Sequence, residues 1–303
     1  MKTFVLKRFL KRMCYLIGAL LVIWIIAVQA GCLSMRTSDQ AWRKKLLDAG
    51  QATPPQFIDV SSNIGRTIHA VIISRSDSLP WIVMVHGSPG SSDAFLPYLS
   101  DTNLSNVANM ISLDRPGFGY TSGFGKPEPS QKAQAAAVKA VVDRLSPGKK
   151  VILVGHSLGA PVIAQFAMDY PESTAALVLA GASIDPALEE HPWWQKAVDV
   201  APLRWLTPKS LWTSNAEIIP LEQELEHMRQ HWAEITCPVR VVHAENDRLV
   251  PFGNVDFARR MLTNCSDFQA ITFAKGDHFF IWTDTGILKE VMISLLKYGR
   301  QLN

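Results

Sequence analysis

Residues 151–160, VILVGHSLGA, run from strand-forming apolar residues into Gly-His-Ser-Leu-Gly and then into small residues that favour helix. A chain that turns from strand to helix over so few residues brings the two backbones very close together. Glycine is the residue that fits such an approach, and Gly155 and Gly159 stand at the two flanks. A serine between them is lifted above the sheet edge, the geometry of a nucleophile elbow. The plainer reading is a turn whose serine caps the next helix. What the rest of the chain supplies separates the two.

Around that turn the sequence alternates β-branched runs with helical patterns. Strands are expected at 66–74, 81–87, 109–117, 151–155, 174–182, 238–247 and 268–278. Helices are expected at 129–148, from about 157 to 170, and near 286–302. Such alternation marks a mostly parallel sheet covered by helices. With 303 residues, 48% of them hydrophobic, one full-sized domain over 57–303 is the expectation. The pattern breaks between 183 and 235, where no strand is expected and five tryptophans occur. LEQELEHMRQHW (221–232) has helical spacing, so a small helical cap at about 184–235 is predicted. Trp193 and Trp194 are its candidate substrate-binding residues, lining an apolar cleft. For any single tryptophan, packing is the competing role.

A serine hydroxyl is a weak nucleophile. It needs a histidine base, a carboxylate to orient that base, and N–H donors for the oxyanion. Downstream of Ser157, Asp247 follows one expected strand and His278 the next, in the order Ser, Asp, His. Glu245 and Asp277 are the neighbouring carboxylates and rank lower, one nearer its strand and the other adjoining the base. Upstream, HGSPGSSDAF (86–95) opens a loop after a strand. The N–H groups of Ser88 and Leu158 are the candidate oxyanion donors, and His86 is read as a structural hydrogen-bonder.

Over about residues 57–303 the chain resembles the α/β-hydrolase superfamily. HGSPG, DRPGFG, GHSLG, ENDRLVP and GDHF carry the resemblance, in the family order. It implies an eight-stranded, mostly parallel sheet with helices on both faces, a helical cap after the sixth strand, and a catalytic triad of Ser157, Asp247 and His278. Serine at the elbow argues against haloalkane dehalogenases and epoxide hydrolases of this fold, which carry aspartate there. Proline iminopeptidases usually read Gly at the position of Ser88 and Asp-Gln-Arg-Gly in place of DRPG. The expected activity is hydrolysis of a carboxylic ester of a small apolar substrate through an acyl-enzyme. The alternatives are a C–C bond hydrolase, a thioesterase, a cofactor-free haloperoxidase, or a non-catalytic binding protein on this fold.

No cofactor is expected. The histidines lack paired metal-ligand spacing, and GFGYTSG (117–123) lacks the strand-then-helix context of a dinucleotide site. Net charge is +3, and much of the excess sits at Lys2, Lys7, Arg8, Lys11 and Arg12. No basic stripe with interleaved aromatics follows, so nucleic acid is not an expected partner. Residues 13–30 carry no charge, and residues 1–31 read as a signal peptide or membrane anchor. VQAGCLS resembles a bacterial lipoprotein cleavage box that would lipidate Cys32, although Gln29 departs from that pattern. The other reading is an uncleaved anchor oriented by its basic end. Both place the domain at a membrane, facing the periplasm or cell exterior. Residues 32–56 read as a linker containing a short helix, and Cys237 and Cys265 are either a disulfide pair or two separate thiols.

Overall fold

The computed structural model describes residues 2–300 apart from residue 191; the side chains of residues 2–5 and of Trp194 also lie outside the described residues. Eight strands form one sheet: β1 (Gln56–Ser61), β2 (Thr67–Ile73), β3 (Trp81–Val85), β4 (Asn109–Leu113), β5 (Val151–His156), β6 (Thr174–Ala180), β7 (Val239–Ala244) and β8 (Phe268–Phe273). Their order is β1-β2-β4-β3-β5-β6-β7-β8. β2 pairs antiparallel with both β1 and β4, and every later pairing is parallel. Val154 of β5 sits in register with Met84 of β3 and Val178 of β6. The inner strands read as continuous apolar runs because helices cover both faces of the sheet, and β3 to β7 are buried throughout.

The seven strands expected from the residues are all present, six of them shortened at their ends and β5 extended by one residue to His156. The eighth, β1, falls across the expected linker boundary. It is an edge strand with half of its residues exposed, so QFIDVS lacks the apolar run that marks the inner strands.

On one face, α5 (Gln131–Leu145) and α6 (Gly159–Asp169) cover Val83, Leu153 and Leu177. α5 starts where Ser130 accepts from the Ala133 N–H and ends before Pro147-Gly148. α11 (Gly253–Met261) packs into the same layer through Phe257 and Ala258. On the other face, α13 (Thr285–Arg300) and the short α3 (Leu96–Leu99), α4 (Thr102–Ser105) and α12 (Phe280–Thr283) cover Ile82, Val154 and Val178. The segment expected as a linker is docked here: α2 (Asp39–Asp48) buries Trp42 and Leu46 in this second core. At about 1.5–3 kcal/mol per large buried side chain, that is attachment rather than tethering.

Between β6 and β7 the chain is helical: α7 (Trp193–Val198), α8 (Leu203–Leu206), α9 (Lys209–Ile218) and α10 (Leu221–Arg229). α10 buries Leu221, Leu225 and Met228, one helical face. The inward residue of α7 is Gln195, while Trp193 is 81% exposed. Trp193 therefore faces outward and its ring covers no apolar interior, contrary to the expectation for a cleft residue. The Trp194 side chain lies outside the described residues. At the N-terminus, α1 (Lys2–Gln29) is long and apolar enough to cross a membrane over Leu6–Gln29, by length and composition. Cys237 and Cys265 are neighbours but free thiols, Cys265 Sγ donating to the Cys237 carbonyl at 3.1 Å. Burial pushes the Cys237 thiol up to about 12.

The elbow glycines are sterically forced. A Cβ on Gly159 would fall on the Val85 carbonyl oxygen and within 2.7 Å of the His86 oxygen, and one on Gly155 within 2.8 Å of the Ala160 Cα. These are backbone atoms that cannot swing away. Gly159→Ala is expected to cost about 3 kcal/mol or more, a fall in Tm of roughly 10 °C. Thermal denaturation checks it, and a Tm within 2 °C of wild type would show that helix and strand can separate there.

Candidate active site

β5 delivers the turn. His156 ends the strand, and Ser157 follows at φ +53°, in the left-handed region that a β-carbon disfavours. Its N–H donates to the Ala180 oxygen of β6 at 2.9 Å, which pins the turn to the sheet. Side-chain residues persist at such φ values where the surroundings over-determine them, and they cluster at functional sites. α6 begins immediately afterwards. Leu158 is its N-cap, so the Leu158 N–H lies at a helix N-terminus, where amide donors lack intrahelical partners.

Asp247 lies three residues beyond β7, where its Oδ1 accepts from the N–H groups of Leu249 (2.9 Å) and Val250 (2.8 Å). Its Oδ2 is 2.7 Å from His278 Nδ1, in the loop after β8. A carboxylate only accepts, so Nδ1 carries the proton and Nε2 is left as the basic nitrogen. Burial pushes the Asp247 carboxyl upward. The His278 contact and the two amides outweigh it and hold the group below the usual carboxylate range. Glu245 and Asp277 are both exposed, and the Asp277 carboxylate accepts from Phe279 N–H instead. Of the three candidate carboxylates, the fold brings Asp247 to the histidine.

The ring of His278 lies against that of His156, centroids 4.7 Å apart, and His156 Nε2–H donates to the His278 carbonyl at 3.1 Å. His278 is thereby held beside the residue that precedes Ser157. Burial lowers His156 to about 3, so it stays neutral and cannot compete as an acid.

The loop after β3 closes on the elbow. A Cβ on Gly87 would meet Ser157 Cβ at 2.8 Å, so Gly87 lies directly against the serine. Arg115, in the DRPG loop after β4, braces this loop from within. Its Nε donates to the His86 oxygen (2.9 Å) and one Nη to the Gly87 oxygen (3.1 Å), while its backbone N–H donates to His86 Nε2 (3.0 Å). His86 Nδ1 in turn donates to the Gly87 oxygen at 2.6 Å. Both ring nitrogens are committed to one neutral tautomer, and burial with Arg115 alongside lowers its pKa. His86 is a structural hydrogen-bonder, as expected from the sequence.

Four further side chains of this region carry no marker in the sequence. Glu217, on α9 of the cap, pairs with Arg115 at 3.1 Å with both side chains 0% exposed, and accepts from Ser88 Oγ at 3.2 Å. Gln134 completes the cluster, accepting from Arg115 at 2.5 Å. Burial raises the Glu217 carboxyl to about 7 against the pull of Arg115. Phe279 and Trp282 stack at 5.8 Å beside His278 and His156, half-exposed, and form an aromatic wall next to the two histidines. Among the described residues no group of three or more His, Cys, Asp or Glu side chains is arranged to hold a metal ion.

The buried pair can be tested by stability. Glu217→Gln keeps the shape but leaves the Arg115 guanidinium buried without its counter-charge. It should cost about 3–5 kcal/mol, lowering Tm by roughly 10 °C. An Arg115→Met, Glu217→Leu double variant should lose less than either single change, because no unpaired charge remains. Strictly additive losses in a thermal-melt cycle would show that the two side chains do not interact.

A family model for the alpha/beta hydrolase fold matches residues 80–210. A 2-hydroxy-6-oxononadienedioate/2-hydroxy-6-oxononatrienedioate hydrolase from Pseudomonas sp is 24% identical over 81% of this chain and 98% of its own. Among solved structures, a bacterial membrane phospholipase A superposes with a TM-score of 0.64 at 16% identity, covering 99% of each chain. An esterase from Exiguobacterium antarcticum gives 0.63 at 19% identity over 80% of this chain and all of its own. Sheet order, strand-to-helix turn and the family-model match over residues 80–210 agree: the chain has the α/β-hydrolase fold, and its similarity to hydrolases supports an α/β-hydrolase enzyme.

Proposed function

We propose that the protein is a serine hydrolase that cleaves a carboxylic ester of an apolar substrate through an acyl-enzyme. The observation that carries this reading is Ser157 at φ +53° on the elbow, with a His278–Asp247 pair at 2.7 Å whose histidine ring lies against the preceding His156. His278 Nε2 takes the Ser157 proton as Oγ attacks the carbonyl carbon. The oxyanion is received by the N–H groups of Ser88 and Leu158, the alcohol leaves with the proton from His278, and water deprotonated by His278 releases the acid. Phe279 and Trp282 offer apolar surface to the bound group. The wider hydrolase family also contains the Pseudomonas relative, named for a dienedioate substrate. A dicarboxylate calls for an available cation in the cleft. Arg115 is neutralised by Glu217 and has no exposed surface, which favours an uncharged ester. Incubation with a serine-reactive phosphonate ester should add one covalent label, located on Ser157 by peptide mass analysis. A label elsewhere, or none, would sink the assignment.

The same proposal includes anchoring through residues 1–31. The basic residues precede the apolar run, which by the positive-inside rule supports a domain on the non-cytoplasmic side. The end of α1 packs on α8, and Val28 is buried. That docking favours a retained helix over cleavage before Cys32. Full-length protein should fractionate with membranes.

A further inference from the structure

The apolar helical run from residue 13 to residue 28 is short. Its 16 residues rise about 24 Å, against a hydrocarbon core of about 30 Å. Even with Lys11 and Arg12 reaching back to the near headgroups, no length is spare. A span therefore puts Val28 at the far edge of the hydrocarbon and Trp24 about 6 Å inside it. Yet Trp24 is not free to lie in lipid alone: its Nε1–H donates to the Leu206 carbonyl at 2.9 Å, and Gln29 Nε2–H donates to the Trp205 carbonyl at 3.1 Å. Both acceptors belong to α8 and its end, so the cap is drawn down to the depth of the anchor's last turn.

The surface around that contact is suited to such a depth. Leu203, Trp205 and Leu211 are 45, 57 and 45% exposed, and Leu33 and Met35 of the segment after α1 are exposed beside them. Ser210 Oγ–H donates to the Leu33 carbonyl at 3.3 Å, which ties that segment to the start of α9. Arg204 lies over the Trp212 ring at 3.7 Å. Tryptophans with a cationic neighbour are the composition of a headgroup belt. α9 then measures the remaining distance: Leu211 is six residues, about 9 Å, from Glu217, which accepts from Ser88 of the loop after β3.

We infer that the cap face formed by α8, the start of α9 and residues 33–35 is seated in the outer interface of the bilayer that α1 spans, so that the ester substrate enters from the lipid phase. The inference rests on the anchoring and esterase reading above. It adds which face of the fold meets the membrane and from which side substrate arrives.

The test uses the full-length chain with the exposed Cys14 and Cys32 replaced by serine, reconstituted in phosphatidylcholine/phosphatidylglycerol vesicles. A bimane fluorophore is attached at Leu211→Cys or, as reference, at Asp77→Cys, which lies before the amino end of the central strand β3, the opposite end from the elbow. Nitroxide-labelled lipids should quench the first by about half and the second by under about a tenth, since an interfacial face lies within roughly 5–10 Å of the headgroup boundary. Equal quenching at both sites, in protein that floats with the vesicles, overturns the seating and leaves anchoring intact. Protein that does not float overturns both. In a second arm, Trp205→Lys should slow hydrolysis of a long-chain ester dissolved in the vesicles by about tenfold, and change hydrolysis of a soluble acetate ester less than about twofold. Equal losses on both esters overturn entry from the lipid.

Discussion

Ser157→Ala is expected to lower kcat by about 10⁵–10⁶-fold and to abolish phosphonate labelling. The magnitude follows from how the parts depend on one another. In the proposed mechanism, without Oγ the His278–Asp247 pair has no nucleophile to deprotonate, and the Ser88 and Leu158 amides receive no oxyanion formed by attack from the enzyme. What remains is a polarised pocket that can still orient water, so activity should settle above the uncatalysed rate rather than at it. Stability separates this from damage to the fold. At φ +53° the β-carbon of serine is already unfavourable, and alanine has the same β-carbon, so Ser157→Ala should melt within about 2 °C of wild type. Ser157→Gly should be equally inactive yet at least as stable, because glycine removes that conformational cost. The kinetic measurement is kcat/KM on a chromogenic ester, with calorimetry on the same three proteins. Turnover within tenfold of wild type for Ser157→Ala would place the nucleophile elsewhere.

What could be read from the sequence is what local rules control. The inner strands announce themselves as apolar runs because both faces of each are covered. The loops that follow them carry Ser157, Asp247 and His278 a few residues beyond the last strand residue. Local order therefore nearly fixes which side chains meet at the carboxyl edge of a parallel sheet. The elbow was legible for the same reason, since Gly155 and Gly159 are demanded by neighbours within five residues and by the adjoining strand. The Arg115–Glu217 pair was hidden because its two members are 102 residues apart and meet only when the cap docks. No periodicity in α9 marks Glu217 as buried. β1 was lost at the edge of the sheet, where partial burial leaves a mixed polar sequence. In the cap, tryptophan content suggested a lining, but the inward position of α7 is taken by Gln195, whose carbonyl accepts from Asn215 at 2.9 Å. Trp193 consequently points outward. The aromatic wall that stands beside His278 comes from Phe279 and Trp282, in the HFFIW run just after the histidine.

Asp247→Asn is expected to reduce kcat by about 10⁴-fold with the fold intact. The argument is one of tautomers. In the native site Asp247 Oδ2 accepts from His278 Nδ1, and Oδ1 accepts from the Leu249 and Val250 amides. An asparagine has one oxygen and one NH₂. The two backbone N–H groups fix where the oxygen must go, so the NH₂ is turned toward His278. Facing a donor, Nδ1 becomes an acceptor and the imidazole proton moves to Nε2, the nitrogen that must take the proton of Ser157. The base is thus blocked by a proton rather than displaced, which accounts for a large loss without a cavity. Since both turn amides keep an acceptor, Tm should fall by no more than a few degrees, and the rate of phosphonate labelling should drop in parallel with kcat. Glu245→Gln and Asp277→Asn, at exposed carboxylates that do not reach the ring, serve as controls and should retain activity within about twofold. If Asp247→Asn kept near-native turnover while either control lost it, the orienting carboxylate would be the neighbour, and the 2.7 Å contact would be structural only.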